Sequence, residues 1–195
     1  MLADFLEQSP ESVRDLVAGR ASQLADAGRG EDAVALMRRA ASYYPDDDDL
    51  RLAEAFVLER LDRVPEAIAV MRGVLARRPD DPTALNSLGY TLVDRAGKAA
   101  EGQALIARAL EQKPDSYAIM DSAGWALFRL KRDEEALAWL ERAWDRSRDP
   151  EVAAHLGEVL WTLGRRDEAR ELWQRAQQDA PDNRNLRRTM ERHSG

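Results

Sequence analysis

The residues of this chain best suited to proton transfer are His155 and Glu158, three apart in "AHLGEVLW" with Trp161 just beyond. Positions i and i+3 share a helix face, so an imidazole and a carboxylate at this spacing can exchange a proton. The rest of a catalytic apparatus is missing from the sequence. The other histidine, His193, sits near the C-terminus, where a frayed tail is expected. There is no cysteine, which removes disulfides, thiolate nucleophiles and cysteine-ligated metals. One histidine with one carboxylate is too few ligands for a metal. No Gly-rich phosphate loop, nucleophile elbow or HExxH helix occurs. "PDDDD" at 45–49 lacks the interleaved spacing, glycine and distal glutamate of a calcium loop, and reads as helix-start capping. Neither an enzyme nor a cofactor is expected. The remaining chemistry is recognition, for which the five tryptophans are the obvious anchors.

The bulk properties fit a soluble folded protein of one or two domains: 195 residues, net charge −7 and 44% hydrophobic side chains. Residues 1–50 carry −6 of that charge, with 11 acids against 5 bases. The remainder is nearly balanced, so nucleic-acid binding, which needs a basic face, is not expected. The C-terminal arginines Arg184, Arg187, Arg188 and Arg192 are expected to form a solvated face. No apolar run approaches the roughly 18 residues that span a bilayer, so membrane insertion is not expected. The start, "MLADFLEQSP", has no basic leader, long apolar stretch or lipidation cysteine, and so does not read as a signal peptide.

The elements that position these residues follow from internal repetition. One small-residue series runs Ala21, Ala55, Gly89, Gly124, Gly157, a second Ala33, Ala67, Gly102, Ala136, Ala169, and a third Ala40, Val74, Ala109, Ala143, Ala176. Prolines at 45, 79, 114 and 181 punctuate the same period, with Pro150 slightly late. A small residue in mid-helix lets a second helix approach closely, and alanines seven apart give that helix a flat complementary face. The turns carry Gly28, Gly164 or the pair Lys131-Arg132, and Pro-Asp stops one helix and caps the next. "VDRAGKAAEG" at 93–102 has one extra residue, predicting a longer turn at Gly97 that either contacts a partner or is a tolerated insertion.

These series resemble the tetratricopeptide repeat over about residues 14–183, the fifth unit most fully, with Leu156, Gly157, Leu160, Gly164, Ala169, Trp173, Ala176 and Pro181. The first two units depart in having Ala where Gly is usual. The resemblance implies an all-α solenoid of antiparallel helix pairs forming a right-handed superhelix. Five units are expected at about 14–47, 48–81, 82–116, 117–149 and 150–183. Residues 184–195 are expected to form a capping helix and tail, with Leu186 and Met190 one turn apart. Residues 1–13, with Leu2, Phe5 and Leu6 ahead of Ser9-Pro10, read either as an N-terminal cap or as the remnant of an earlier helix.

In such a solenoid the first helices line the concave side. Their outward stripe is predicted to hold Asn86, Tyr90 and Val93, then Asp121, Trp125, Phe128 and Arg129, then His155, Glu158 and Trp161. This groove is the expected protein- or peptide-binding site, with Trp125 as an exposed anchor; partial burial of Trp125 against the next repeat is the competing expectation. Trp144 and Trp173 are expected in the core, and Trp139 between the two states. Some repeats of this kind grip a terminal carboxylate. Of the matching positions Ala18, Ser22, Leu52, Phe56, Asn86, Tyr90, Asp121 and Trp125, only Asn86 fits, and Asp121 would repel the ligand.

"ALNSLGYTLVDR", "AIMDSAGWALFRL" and "DPEVAAHLGEVLWTLGRRDEAR" further resemble the C-terminal repeats of proteobacterial outer-membrane tetratricopeptide lipoproteins, over about residues 84–183. That likeness implies a periplasm-facing adaptor for a carboxyl-terminal processing protease and the cell-wall hydrolases it degrades. The leader, lipidated cysteine and most N-terminal repeats of that family are not in this sequence. A fragment of such a lipoprotein, a short cytoplasmic adaptor and a self-assembling structural protein are all compatible with the pattern.

Overall fold

A computed structural model of the protein describes residues 10–193. Leu2, Phe5, Leu6 and Ser9, on which the N-terminal cap expectation rests, lie outside them. Eleven helices and no strand occur among the described residues: α1 Pro10–Asp26, α2 Gly30–Tyr43, α3 Asp48–Arg60, α4 Val64–Arg77, α5 Pro82–Asp94, α6 Ala99–Gln112, α7 Tyr117–Arg129, α8 Asp133–Arg146, α9 Pro150–Thr162, α10 Arg166–Asp179 and α11 Arg184–Arg192. The chain divides into two compact units, Met1–Ala84 and Leu85–Gly195.

The helices form antiparallel pairs because each turn within a pair contains one left-handed residue: Gly28 (φ +75°), Asp62 (+62°), Gly97 (+67°), Lys131 (+63°) and Gly164 (+82°). Glycine reaches this region at no steric cost. Asp62 tolerates it better than most side chains and Lys131 occupies it against preference, so neither marks the turn as plainly as glycine does. Every second helix starts one residue later, at a basic residue that makes no side-chain cap. That residue pairs instead with an acid in the first turn: Arg29–Asp32 at 2.7 Å, Arg63–Glu66 at 2.7 Å, Lys98–Glu101 at 3.7 Å, Arg132–Glu135 at 2.7 Å and Arg165–Glu168 at 2.6 Å. The carboxylate offsets the unfavourable cation at the positive end of the helix dipole. Hydrogen bonds from Arg63 and Arg38 hold Glu66 down at a pKa of about 2. First helices start differently. Asp47, Asp81, Asp149 and Asn183 cap α3, α5, α9 and α11 by accepting the backbone N–H of Leu50, Ala84, Glu151 and Leu186 at 2.8–2.9 Å, whereas Ser116 before α7 makes no side-chain cap.

The first unit packs Val13, Val17, Ala21 and Leu24 of α1 with Met37 of α2, Leu50 and Leu58 of α3, and Met71 and Val74 of α4, each no more than 8% exposed. Arginines from the second helices reach back to its buried acids: Arg77 to Asp48, and Arg38 to Glu54 at 3.1 Å. The second unit has a heavier core of Met120, Leu127, Leu137, Leu140, Trp144, Val152, Leu156, Val159 and Trp173, closed at its end by Leu186 of α11. A side chain on Gly157 would overlap the Trp173 indole, so the bulky ring dictates glycine opposite it. Helix α11 packs on α9, with Leu186 and Thr189 buried and Met190 partly so. The longer turn after α5 is present: Arg95 and Ala96 donate to Thr91 O, and Lys98 to Leu92 O.

Candidate protein-interaction surface

All nine residues of the expected groove fall in the second unit, on α5, α7 and α9. The structure gathers eight of them into two clusters, with Asn86 in neither. In the first, His155 Nδ1–H donates to both carboxylate oxygens of Asp121 at 3.0 Å, one repeat earlier in the chain. The Trp125 indole stacks on the imidazole, centroids 4.2 Å apart and planes 20° from parallel. Its Nε1–H donates to Asp94 at 3.1 Å. Arg129 reaches the same Asp94 oxygen at 3.4 Å and lies 5.8 Å over the Trp125 ring. Phe128 contacts Trp125 at 5.3 Å, and Tyr90 approaches His155 at 6.1 Å.

In the second cluster Glu158 accepts hydrogen bonds from Arg192 and from Thr189, the latter at 3.5 Å. Trp161 stacks on Trp173 at 5.9 Å, and His193 lies against both rings, at 4.9 and 5.3 Å. Arg166 and Arg170 each sit 5.1 Å over the Trp161 ring. His193 is therefore part of a packed cluster and not the frayed tail its position suggested.

The expected exposure of the stripe needs correction. Trp125 is 7% exposed, Asp121 8%, His155 6% and Glu158 8%, and Val93 is fully buried. The physical reason is that first helices of successive repeats pack directly on one another, α7 on α9 and α9 on α11. Each closes over the inner edge of its neighbour's stripe. Phe128, Trp161, Asn86 and Tyr90 remain half-buried, and Arg129 is exposed. The proton-transfer pair also dissolves. Glu158 hydrogen-bonds Arg192 and Thr189, and His155 takes Asp121.

Burial alone disfavours a charged His155. The Asp121 carboxylate outweighs it by charge and hydrogen bond, with Glu151 and Glu158 adding to the field, so the histidine pKa lies above its ordinary 6.5. His193 is shifted the other way. Burial lowers it and Arg192 adds to that, against the pull of Glu158. Among the described residues no group of three or more His, Asp or Glu side chains is placed to hold a metal ion.

Sequence and fold comparisons agree with this architecture. Two family profiles described as Tetratricopeptide repeat match residues 24–88 and 88–149. The chain belongs to the tetratricopeptide repeat family. It is 37% identical over 151 residues to TPR repeat-containing protein PA4667 of Pseudomonas aeruginosa. That alignment covers 77% of this chain but only 26% of the relative, so the chain spans about a quarter of that protein's length. Its fold is similar to TTC0263, a thermophilic TPR protein of Thermus thermophilus, with a TM-score of 0.77 at 24% identity, covering 91% of this chain and 97% of that one. It is also similar to PilW, a widely conserved type IV pilus biogenesis factor, with a TM-score of 0.71 at 21% identity, covering 85% and 77%.

Tetratricopeptide repeats are generally non-catalytic protein-interaction modules, and the clusters are arranged accordingly. The His155–Asp121 pair resembles a catalytic dyad in composition, but Trp125 covers it. Sequence reasoning missed the pairing itself, although its signal was available: complementary charges one repeat apart. Asp94 meets Arg129, Asp121 meets His155 and Glu158 meets Arg192, all 34 or 35 residues on. In the first unit Asp26 meets Arg60 in the same way. No helix among the described residues is long and apolar enough to cross a membrane.

Proposed function

We propose that this chain is a non-catalytic adaptor that holds protein partners on the first helices of its repeats, in the setting of periplasmic proteolysis or cell-envelope assembly. The observation that carries the reading is a set of partly exposed aromatic and basic side chains, Tyr90, Phe128, Arg129 and Trp161, held beside the buried Asp121, Trp125, His155 and Glu158. Accessible aromatics held on a preorganised support suit partner anchoring, because little entropy is lost when they are covered. Asn86 adds a carbonyl, Oδ1, that is buried without a hydrogen-bond partner among the described residues. The setting is supported by the likeness of residues 84–183 to outer-membrane tetratricopeptide lipoproteins. The partners proposed on that basis are a carboxyl-terminal processing protease and the cell-wall hydrolases it degrades. The experiment is a pull-down from the source organism's own extract with the full chain and a Tyr90→Ala/Phe128→Ala variant. Recovery of envelope proteases or hydrolases, reduced in the variant, is the expected result. Recovery of cytoplasmic proteins alone would defeat the envelope assignment. Association of the chain only with itself would replace the adaptor with a self-assembling protein.

A further inference from the structure

Helix α11 repeats α9 at an interval of 34 residues. Asn183 caps it as Asp149 caps α9, and Leu186 and Thr189 are buried as Val152 and His155 are. It packs on α9 and α10, and the Asn183 and Asn185 side-chain amides donate to Glu151 and fix its setting. The two helices differ on another side. On α9, Ala153 and Gly157 face the second helix α10: the Trp173 indole N–H donates to the Ala153 carbonyl at 3.1 Å, and no side chain fits at Gly157. On α11 the corresponding positions are Arg187 and Glu191, with Arg184 one turn before and Arg188 alongside, all four exposed. Among the described residues no helix takes the place beside α11 that α10 takes beside α9. Nor do Arg184, Arg187 and Arg188 form any ion pair among them, whereas Arg192 is bound to Glu158.

We infer that this side of α11 is a docking surface for an acidic helix of a partner protein, seated where a second helix lies in the other repeats. Arginine and glutamate replace the small residues that allow close apolar approach, so whatever covers the face must meet it with charged side chains. The sign follows from the arginines. Three guanidiniums within about one turn repel one another, and Glu191 offsets only one of them. An apolar or basic helix laid on them would leave cations desolvated and unpaired. Carboxylates three or four residues apart on a helix recur at the spacing of Arg184, Arg187 and Arg188, and each can take a guanidinium in two parallel hydrogen bonds. The surface shares no residue with the one proposed around Tyr90, Phe128, Arg129 and Trp161, so either can fail without the other.

The test is fluorescence anisotropy of the full chain with a fluorescein-labelled, alanine-based helical peptide carrying glutamates at i, i+3, i+4 and i+7. The chain's net charge of −7 repels such a peptide as a whole, so saturable binding reports a local site. Binding is expected at low ionic strength, weakening as salt is added. Arg184→Gln/Arg187→Gln/Arg188→Gln should reduce it about tenfold or more. Arg20→Gln/Arg39→Gln/Arg142→Gln, which removes the same charge from exposed arginines elsewhere, should keep it. Because the α11 arginines are exposed and unpaired, their triple variant should melt with the parent chain, which separates lost docking from lost fold. No saturable binding, equal binding by the α11 variant, or equal loss in the control variant would each overturn the inference. Self-association of the chain that the α11 variant abolishes would put a second copy in place of the acidic partner and overturn it as well.

Discussion

Trp125 and Trp144 are each 7% exposed, on adjacent helices of the second unit, yet their surroundings have little in common. Trp144 belongs to an apolar cluster with Met120, Leu140, Val152 and Leu156, its ring covered by the Arg148 guanidinium at 4.8 Å. Trp125 is buried in polar company: a carboxylate on its N–H and an ion-paired imidazole on its face. The difference teaches that two equally buried tryptophans can be held in different ways, Trp125 by directional bonds and Trp144 by shape. An apolar contact tolerates any pH. A stack on a His–Asp pair depends on the pair's charge.

The sharpest way to break this comparison is to remove each ring. Trp144→Ala and Trp125→Ala should each cost about 3–5 kcal/mol in urea unfolding. A Trp125→Ala variant as stable as the parent would return that ring to the open groove. The two losses should differ in pH response. The Trp144→Ala loss should be the same at pH 6 and pH 9, whereas Trp125→Ala also weakens the cover over the His155–Asp121 pair. Next in size is the end of the array. Leu186→Ala should cost about 2–5 kcal/mol and promote association, because α11 closes the apolar core there.

Asp121→Asn isolates the ion pair. A histidine with a raised folded pKa contributes stability that is complete below about pH 6.5, its unfolded value, and is lost as pH rises through the folded value. Asp121→Asn should therefore cost about 1–3 kcal/mol at pH 6 and progressively less at alkaline pH. A loss independent of pH would mean that the pair is not charged. The smallest effect belongs to the turn-side pairs. Arg132→Ala, at a fully exposed pair, should leave the melting temperature unchanged within error.

The helix pairs were legible because period and residue type repeat together. Ala21 through Gly157 and Ala33 through Ala169 mark close approaches that only small residues permit. The five left-handed turn positions were half legible, since Asp62 and Lys131 do not advertise a positive φ as glycine does. The stripe was legible as a stripe but not as buried. Helical spacing shows which side of α7 holds Asp121 and Trp125, but not that α9 of the next repeat covers it. That contact is between repeats, and its trace in the sequence is the 34-residue interval from Asp121 to His155, which is visible only when charges are compared across units. His193 was misread because position near a terminus said frayed, while Trp161 and Trp173 supply it with a packing site.

The most direct test of the buried His–Asp–Trp cluster is a titration by NMR of the two histidine rings, assigned with a His193→Gln variant. The two share one chain and one buffer, and the structure shifts them in opposite directions. His155 should titrate above 6.5 and His193 below it, and Asp121→Asn should bring His155 down while leaving His193 in place. Two rings titrating together near 6.5, or His155 below His193, would contradict the account.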